Sequence, residues 1–369
     1  MTALSQPLPP GSTVGILGGG QLGRMTAMAA AQLGYKSHVF CPSPGEPALQ
    51  VTPLATVADY EDREALARFA AAVDVITFEF ENVPSDSVAF LAEQSLVRPH
   101  PEILRICRNR LREKDFLASI GVETTRYAEV TGIEGLRREL RNLGTPAVLK
   151  TAELGYDGKG QAMLRSPDDV VTAWDAVRGH NPDSVAVLEA FVDFRMEISV
   201  VVARGVREQT ACYVPVENQH RGHILDCTIA PARISEIAAS RAEAIARHIA
   251  ESLDLIGLIG VEMFLTQEDR VLVNELAPRP HNSGHWTMDA CLTSQFEQFV
   301  RAVVGLPLGS PDRHSDAVMT NLLGSEANDW EALLGDPMVK LHLYGKQDVR
   351  PGRKMGHITR LGPRSSQLG

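Results

Sequence analysis

Apolar and polar positions follow three successive patterns along this chain. In the first, short apolar runs alternate with stretches of helical period. Thr13-Val14-Gly15-Ile16-Leu17, Ser37-His38-Val39-Phe40 and Val73-Asp74-Val75-Ile76-Thr77-Phe78 predict strands, and 21–33, 62–72 and 85–93 predict helices. Strands alternating with helices predict a parallel α/β sheet. A helix over 108–120, ended by Gly121, leads into a small module. There 146–151 and 161–165 predict two strands joined by a glycine loop, 167–178 a helix opened by Pro167-Asp168-Asp169, and 185–189 a strand. Longer, alternating runs then predict antiparallel strands at 196–203, 209–216 and 224–229, a helix over 235–253 and another over 296–304. Between those helices, 259–265 and 271–276 predict a hairpin around the polar turn 266–270, and the tail from 339 to 360 predicts a strand pair with a basic turn. The fold class is therefore α/β plus α+β. Three domains are expected: an N-terminal α/β domain over 1–125, a small central domain over 126–191 and an antiparallel C-terminal domain over 192–369.

The hairpin carries the first chemical signal. Glu262 and Glu275 are equidistant from a centre between Glu268 and Asp269. They should face each other with Cβ atoms about 5 Å apart. Two unshielded carboxylates so placed repel, and a divalent cation between them reverses the sign. Mg²⁺ favours a few carboxylates plus substrate phosphate oxygens. Val261, Met263, Val273 and Leu276 make an exposed hairpin a poor reading, and Asn274 adds a neutral oxygen beside Glu275. Lys150 stands five residues before the loop Gly155-Tyr156-Asp157-Gly158-Lys159-Gly160-Gln161. Its glycines let backbone N–H groups approach phosphates. The chain has no G-x-x-x-x-G-K-[ST], so the loop must act as a flap rather than a P-loop. Together these residues predict breakage of the terminal phosphate bond of ATP.

Gly18, Gly20 and Gly23 match G-x-G-x-x-G between a strand and a helix. The following strand end, His38-Val39-Phe40-Cys41-Pro42, lacks the carboxylate that a nicotinamide cofactor needs for its ribose. A tight turn, or a helix N-terminus holding a phosphate of another ligand, remains. The net charge of −10 argues against a nucleic-acid partner. Lys346, Arg350, Arg353 and Lys354 form a local basic turn suited to a phosphate. His281 and His285 follow the second glutamate strand in a polar loop and are candidates for substrate contact. Five cysteines without a CxxC pair read as buried thiols. No apolar run is long enough for a membrane span. Residues 1–10, with Pro7, Pro9 and Pro10, lack the basic region of a signal peptide and read as a flexible leader of a cytoplasmic enzyme.

Lys150, the glycine loop, Glu189, Glu262 and Asn274-Glu275 resemble the ATP-grasp enzymes. The strings Gly18-Gly19-Gly20-Gln21-Leu22-Gly23-Arg24-Met25, Phe78-Glu79-Phe80-Glu81-Asn82-Val83-Pro84, Asn274-Glu275-Leu276-Ala277-Pro278-Arg279-Pro280-His281-Asn282-Ser283-Gly284-His285-Trp286 and Arg350-Pro351-Gly352-Arg353-Lys354-Met355-Gly356-His357 resemble the 5-(carboxyamino)imidazole ribonucleotide synthetase family. The resemblance implies an ATP-grasp fold, with the central domain as a lid over ATP. It implies ATP- and bicarbonate-dependent carboxylation of 5-aminoimidazole ribonucleotide in a homodimer. The implied ATP contacts are Arg110, Lys150, Gly155, Tyr156, Asp157, Gly158, Lys159, Gly160, Gln161, Glu189, Ala190, Phe191, Val192, Glu197, His220, Asn274 and Glu275. The implied substrate contacts are Gln21, Leu22, Glu81, Tyr156, Asp157, Arg279, His281, Lys346 and Arg353. Lys150, Asp157, Arg279 and His281 are the implied catalytic set. Glu262 and Glu275 are the implied ligands of Mg²⁺, with Mn²⁺ as an alternative. Leu154 and Asn109 depart from the family pattern, which has a glycine and an acidic residue there.

Overall fold

The computed structural model describes residues 6–153, 160–179 and 185–365. β1 (Thr13–Leu17) passes through the glycine turn into α1 (Gln21–Gln32). Then follow β2 (Lys36–Cys41), β3 (Leu54–Val57), α2 (Arg63–Ala71), β4 (Val75–Phe78), α3 (Ser85–Gln94), α4 (Pro101–Cys107) and α5 (Arg110–Ser119). The four strands form a parallel sheet in the order β3-β2-β1-β4. The helix expected over 108–120 is α5, and α4 before it was not expected. Asn109 separates them: its side chain accepts from the N–H groups of Leu111 and Arg112 and caps α5.

The central part comprises β5 (Tyr127–Thr131), α6 (Gly132–Leu143), β6 (Ala147–Thr151), β7 (Gln161–Leu164), α7 (Val170–Arg178) and β8 (Val185–Ala190). Its strands pair antiparallel as β5-β8-β6-β7. Leu136, Leu149, Trp174, Val177 and Leu188 belong to a core of its own.

The rest of the chain builds one antiparallel sheet. Its elements are β9 (Phe194–Arg204), β10 (Thr210–Cys212), β11 (Val216–Arg221), β12 (Ile224–Ala230), α8 (Glu236–Ser252), β13 (Gly257–Thr266), β14 (Val271–Ala277), α9 (Thr287–Ala290), α10 (Gln295–Val304), β15 (Asp316–Leu323), β16 (Val339–Leu343) and β17 (Lys354–Gly362). The order is β14-β13-β9-β11-β12-β15-β17-β16, with β10 on β9. The strand expected over 209–216 is the shorter β10, and β11, which begins only at Val216, was not expected. Pattern reading also missed β3, β5, α6 and β15. α1 packs against α10, so Val14, Met25 and Ala29 share a core with Trp286, Phe299 and Val303. At about 1.5–3 kcal/mol per fully buried large side chain, that contact fixes the first sheet against the third.

The leader is anchored where it is described: Leu8 N–H donates to Val304 O, and the Tyr35 hydroxyl donates to Leu8 O. Residues 1–5 lie outside the described residues. All five cysteines are free thiols. Among the described residues no helix is long and apolar enough to cross a membrane.

Candidate active site

Glu262 and Glu275 pair across the β13–β14 hairpin, as their spacing predicts. The register shifts between Glu262 and Met263, so Asn274 is the extra residue of a bulge opposite Glu262. The shift moves the turn centre from the predicted position. It also brings three oxygen-bearing side chains to one place. Asn274 Oδ1 is buried and has no hydrogen-bond partner. An orphaned amide oxygen lining the same cleft as two carboxylates fits a hard divalent cation completed by phosphate oxygens. Among the described residues no group of three His, Cys, Asp or Glu side chains forms a ready metal cage.

The two carboxylates do not stand unshielded. His281 Nε2 is 2.9 Å from Glu262 Oε1, and Arg110 Nη1 donates to Glu275 Oε2 at 2.9 Å. Burial works against ionisation of Glu262, but the bond from His281 and the charges of His281, His220 and Arg279 hold its carboxyl at about 2. Gly260 makes this contact possible, since a Cβ there would lie 2.7 Å from His281 Cβ. Arg110 opens α5, and its N–H donates to Ala152 O just past β6, linking the glutamate hairpin to the central sheet.

These side chains line a cleft of about 570 Å³. It gathers Gln21, Leu22, Glu81, Arg110, Lys150, Gly160, Gln161, Glu197, His220, Glu262, Asn274, Glu275, Arg279 and His281, all expected from the sequence. Arg279 forks onto Glu81, with Nη2 donating to Oε1 at 2.9 Å and Nε to Oε2. His220 Nδ1 is 2.6 Å from Glu197 Oε2. Lys150 Nζ sits 2.7 Å from Glu189 Oε2.

Other expected residues lie elsewhere. Glu189, Ala190, Phe191, Val192, Lys346 and Arg353 do not line the cleft. Glu189, near the end of β8, turns its side chain to Lys150 and Lys114. There Ala190 and Phe191 N–H are already bonded, to Arg126 O and Pro146 O. Lys346 Nζ donates to Lys354 O and Arg353 Nη1 to Asp348 O, so both brace their own turn. Burial, with Arg353 nearby, pushes Lys346 down to about 8. Lys354 reaches the cleft in their place. Leu154, Gly155, Tyr156, Asp157, Gly158 and Lys159 lie outside the described residues.

The glycine turn at α1 holds no space for a ligand phosphate. Glu79 occupies it, accepting from Gly20 N–H and Gly23 N–H. A Cβ on Gly20 would lie 2.7 Å from Glu79 Oε1, so the glycines admit the protein's own carboxyl. α1 has no local side-chain cap. Glu79 caps it from far along the chain, and the helix dipole favours a carboxylate there. Burial nonetheless pushes this carboxyl above its ordinary value, against those two bonds.

Phe194, Asn218, His223, Asn282, His285 and Lys354 also line the cleft. Lys354, Asn282 and His285 stood inside strings already singled out. Asn218, His223 and Phe194 carried no local signal. Phe194 stacks on Phe264 with ring centres 4.7 Å apart, and Asn218 Nδ2 donates to Ser199 Oγ at 2.8 Å.

Known proteins share this arrangement. The ribonucleotide synthetase preATP-grasp domain model matches residues 12–108 and the ATP-grasp domain model residues 115–296. The phosphoribosylaminoimidazole carboxylase C-terminal domain model matches residues 317–369. N5-carboxyaminoimidazole ribonucleotide synthase of Brucella melitensis biotype 1 is 48% identical over 358 residues, 97% of this chain and 98% of that protein. A bifunctional purine synthesis protein of Dictyostelium discoideum is 46% identical over 370 residues, and the match covers 95% of this chain but only 37% of that longer protein. The structure of N5-carboxyaminoimidazole synthase from Aspergillus clavatus with ADP and 5-aminoimidazole ribonucleotide superposes with a TM-score of 0.90 at 31% identity, covering 96% of this chain and 94% of that one. The chain therefore belongs to the N5-carboxyaminoimidazole ribonucleotide synthase family and has the ATP-grasp fold.

Proposed function

We propose that this chain carboxylates 5-aminoimidazole ribonucleotide to its N5-carboxyamino derivative, using ATP and bicarbonate, as a step of purine biosynthesis. One observation carries the reading. Gln21 of α1 and Glu81 after β4, Lys150 of β6, Glu262 and Glu275 of the β13–β14 hairpin, and Arg279 and His281 just after it line a single cleft. A nucleotide phosphate and a ribonucleotide can meet there.

Bicarbonate is a poor electrophile. Attack of its oxygen on the γ-phosphorus, with ADP as the leaving group, gives carboxyphosphate. That step is mostly positioning and charge neutralisation. Lys150 and Arg110 meet the phosphates, with Gly160 and Gln161 at the cleft end of the flap. Glu262, Asn274 and Glu275 would hold Mg²⁺ or Mn²⁺, which when bound spreads the phosphate charge. Arg279, fixed by Glu81, and His281 face the ribonucleotide. Its exocyclic amine attacks the carboxyl carbon of carboxyphosphate as phosphate leaves, or attacks CO₂ that carboxyphosphate has released, with phosphate, inside the closed site. The amine proton passes to Asp157, His281 or the departing phosphate. Residues 126–191 form the lid that excludes water from carboxyphosphate. The basic turn supplies Lys354 to the substrate phosphate, braced by Lys346 and Arg353. A cytoplasmic homodimer completes the reading.

Phosphate release from MgATP tests it. Release should require both bicarbonate and 5-aminoimidazole ribonucleotide. Release supported instead by formate and glycinamide ribonucleotide would overturn it.

A further inference from the structure

Lys114 lies on α5, one turn beyond Arg110, and its side chain is fully buried. Its Nζ stands 3.1 Å from Glu189 Oε1 and 5.7 Å from the centre of the Tyr127 ring. The other Glu189 oxygen is 2.7 Å from Lys150 Nζ. Lys150 reaches the cleft, whereas Glu189 and Lys114 stand behind it. One buried carboxylate is thus bridged by two ammonium groups, one at the cleft wall and one at its back.

The charges decide what this arrangement does. Glu189 with Lys150 alone would be a neutral pair. A phosphate that drew Lys150 away would then leave a buried carboxylate uncompensated, which is strongly unfavourable. With Lys114 present the cluster keeps one positive charge, and Glu189 stays compensated when Lys150 turns to a ligand. The Lys114–Glu189 contact is one of charge: neither Lys114 Nζ nor Glu189 Oε1 has an aligned hydrogen-bond partner among the described residues. Burial opposes ionisation of Glu189, yet Lys150 and then Lys114 hold it down at about 2.

We propose that Lys114 is a positioning residue for the nucleotide: it holds the charge of Glu189 from behind, so that Lys150 is free to meet the ATP phosphates. This rests on the reading of Lys150 as a phosphate ligand.

The test uses the full chain with Lys114→Met, Glu189→Gln, the double variant and Lys150→Met. Affinity for a non-hydrolysable ATP analogue is measured by calorimetry, alongside kcat and both apparent KM values. Lys114→Met keeps the apolar stem and removes the charge. It should weaken the analogue and raise the ATP KM about tenfold or more, with the ribonucleotide KM unchanged and kcat changed less. Adding Glu189→Gln removes the charge that then cancels Lys150, so the double variant should return to within about threefold of wild type. A packing role gives no such rescue. If Lys114→Met does not fold, the double variant decides alone: near-normal affinity supports the proposal, and a tenfold loss overturns it. Normal ATP affinity in Lys114→Met, or a double variant no better than the single one, also overturns it. Lys150→Met separates the two levels. Unchanged affinity there removes Lys150 from the phosphate site and takes the proposal with it. Weakened affinity there with normal Lys114→Met overturns the role of Lys114 alone.

Discussion

Arg110 and His281 decide how the two glutamates of the hairpin respond to substitution. Glu275 is held by Arg110 at 2.9 Å and Glu262 by His281 at 2.9 Å. Without metal, Glu275→Gln therefore breaks an ion pair rather than relieving a repulsion. The metal-free protein should lose about 1 kcal/mol, the pair being partly exposed. Turnover should fall about 10²-fold or more, the scale on which one charge-stabilising group acts. Thermal unfolding without Mg²⁺ and steady-state rates check both, and a raised melting temperature would show the carboxylates repelling after all. Spacing along the chain revealed the facing pair but not its partners, because these arrive from residues 110 and 281. Glu113 gives the complementary case. It is buried, and Leu276 N–H donates to its Oε2 at 2.9 Å. Burial, reinforced by Glu275, pushes its carboxyl from 4.5 up to about 8. Its folded value lies above its unfolded one, so its contribution is complete below about pH 4.5 and is lost as pH rises through about 8. Glu113→Gln keeps an acceptor for Leu276 and removes that loss. Its melting temperature relative to wild type should rise between pH 5 and pH 8, and a difference that does not vary with pH would count against a neutral Glu113.

Strand and helix periodicities were legible in many elements with one buried face, though α6 and β15, which have one, were missed. The β13–β14 hairpin shows both the reach and the limit of such reading. Alternation placed Glu262 opposite Glu275, but the bulge at Asn274 depends on the pairing of two strands and has no local mark. β15 and β5 were missed for a related reason: their partners β12, β17 and β8 lie far off in sequence and supply most of their stability. At the glycine turn the sequence left a tight turn and a phosphate site both open, and the structure shows the tight turn. A helix without a local cap reads as a vacant anion site, whereas Glu79 fills it. Asn274 provides the test at this scale. Its Oδ1 is buried without a partner, so Asn274→Ala removes an unsatisfied group and should leave metal-free stability equal or slightly higher. The same change removes a candidate metal ligand and should raise the Mg²⁺ concentration needed for half-maximal rate several-fold. An unchanged Mg²⁺ requirement would take Asn274 out of the metal site, and a large loss of stability would mean that the amide has a structural partner.

The cleft draws on residues from Gln21 to Lys354, so its composition follows from how three sheets meet rather than from any one segment. The first and third sheets share a core through α1 and α10, while the central sheet keeps its own. A lid movement of the central sheet against the other two would therefore break few apolar contacts. The basic turn before β17 illustrates what only the assembled molecule decides. Four cations crowd that turn in sequence, yet they divide between bracing the turn and lining the cleft. Arg353 donates to Asp348 O at 2.9 Å and stands 3.8 Å from its carboxylate, and Lys346 donates to Lys354 O at 2.8 Å. These contacts hold the turn closed. Lys354, at the start of β17, lines the cleft with Gln21 and Arg279. A charge-assisted contact to a substrate phosphate is worth roughly 1.5–3 kcal/mol. Lys354→Ala should therefore raise the apparent KM for 5-aminoimidazole ribonucleotide about tenfold or more, since 1.4 kcal/mol is a factor of ten. Arg353→Ala loosens the turn without removing the contact and should raise it by about threefold or less. The apparent KM for ATP should stay within about twofold in both, because Lys150 and Arg110, proposed to meet the nucleotide phosphates, belong to other elements. A larger ribonucleotide effect from Arg353→Ala than from Lys354→Ala would mean that the turn opens on binding and that Arg353 itself takes the phosphate.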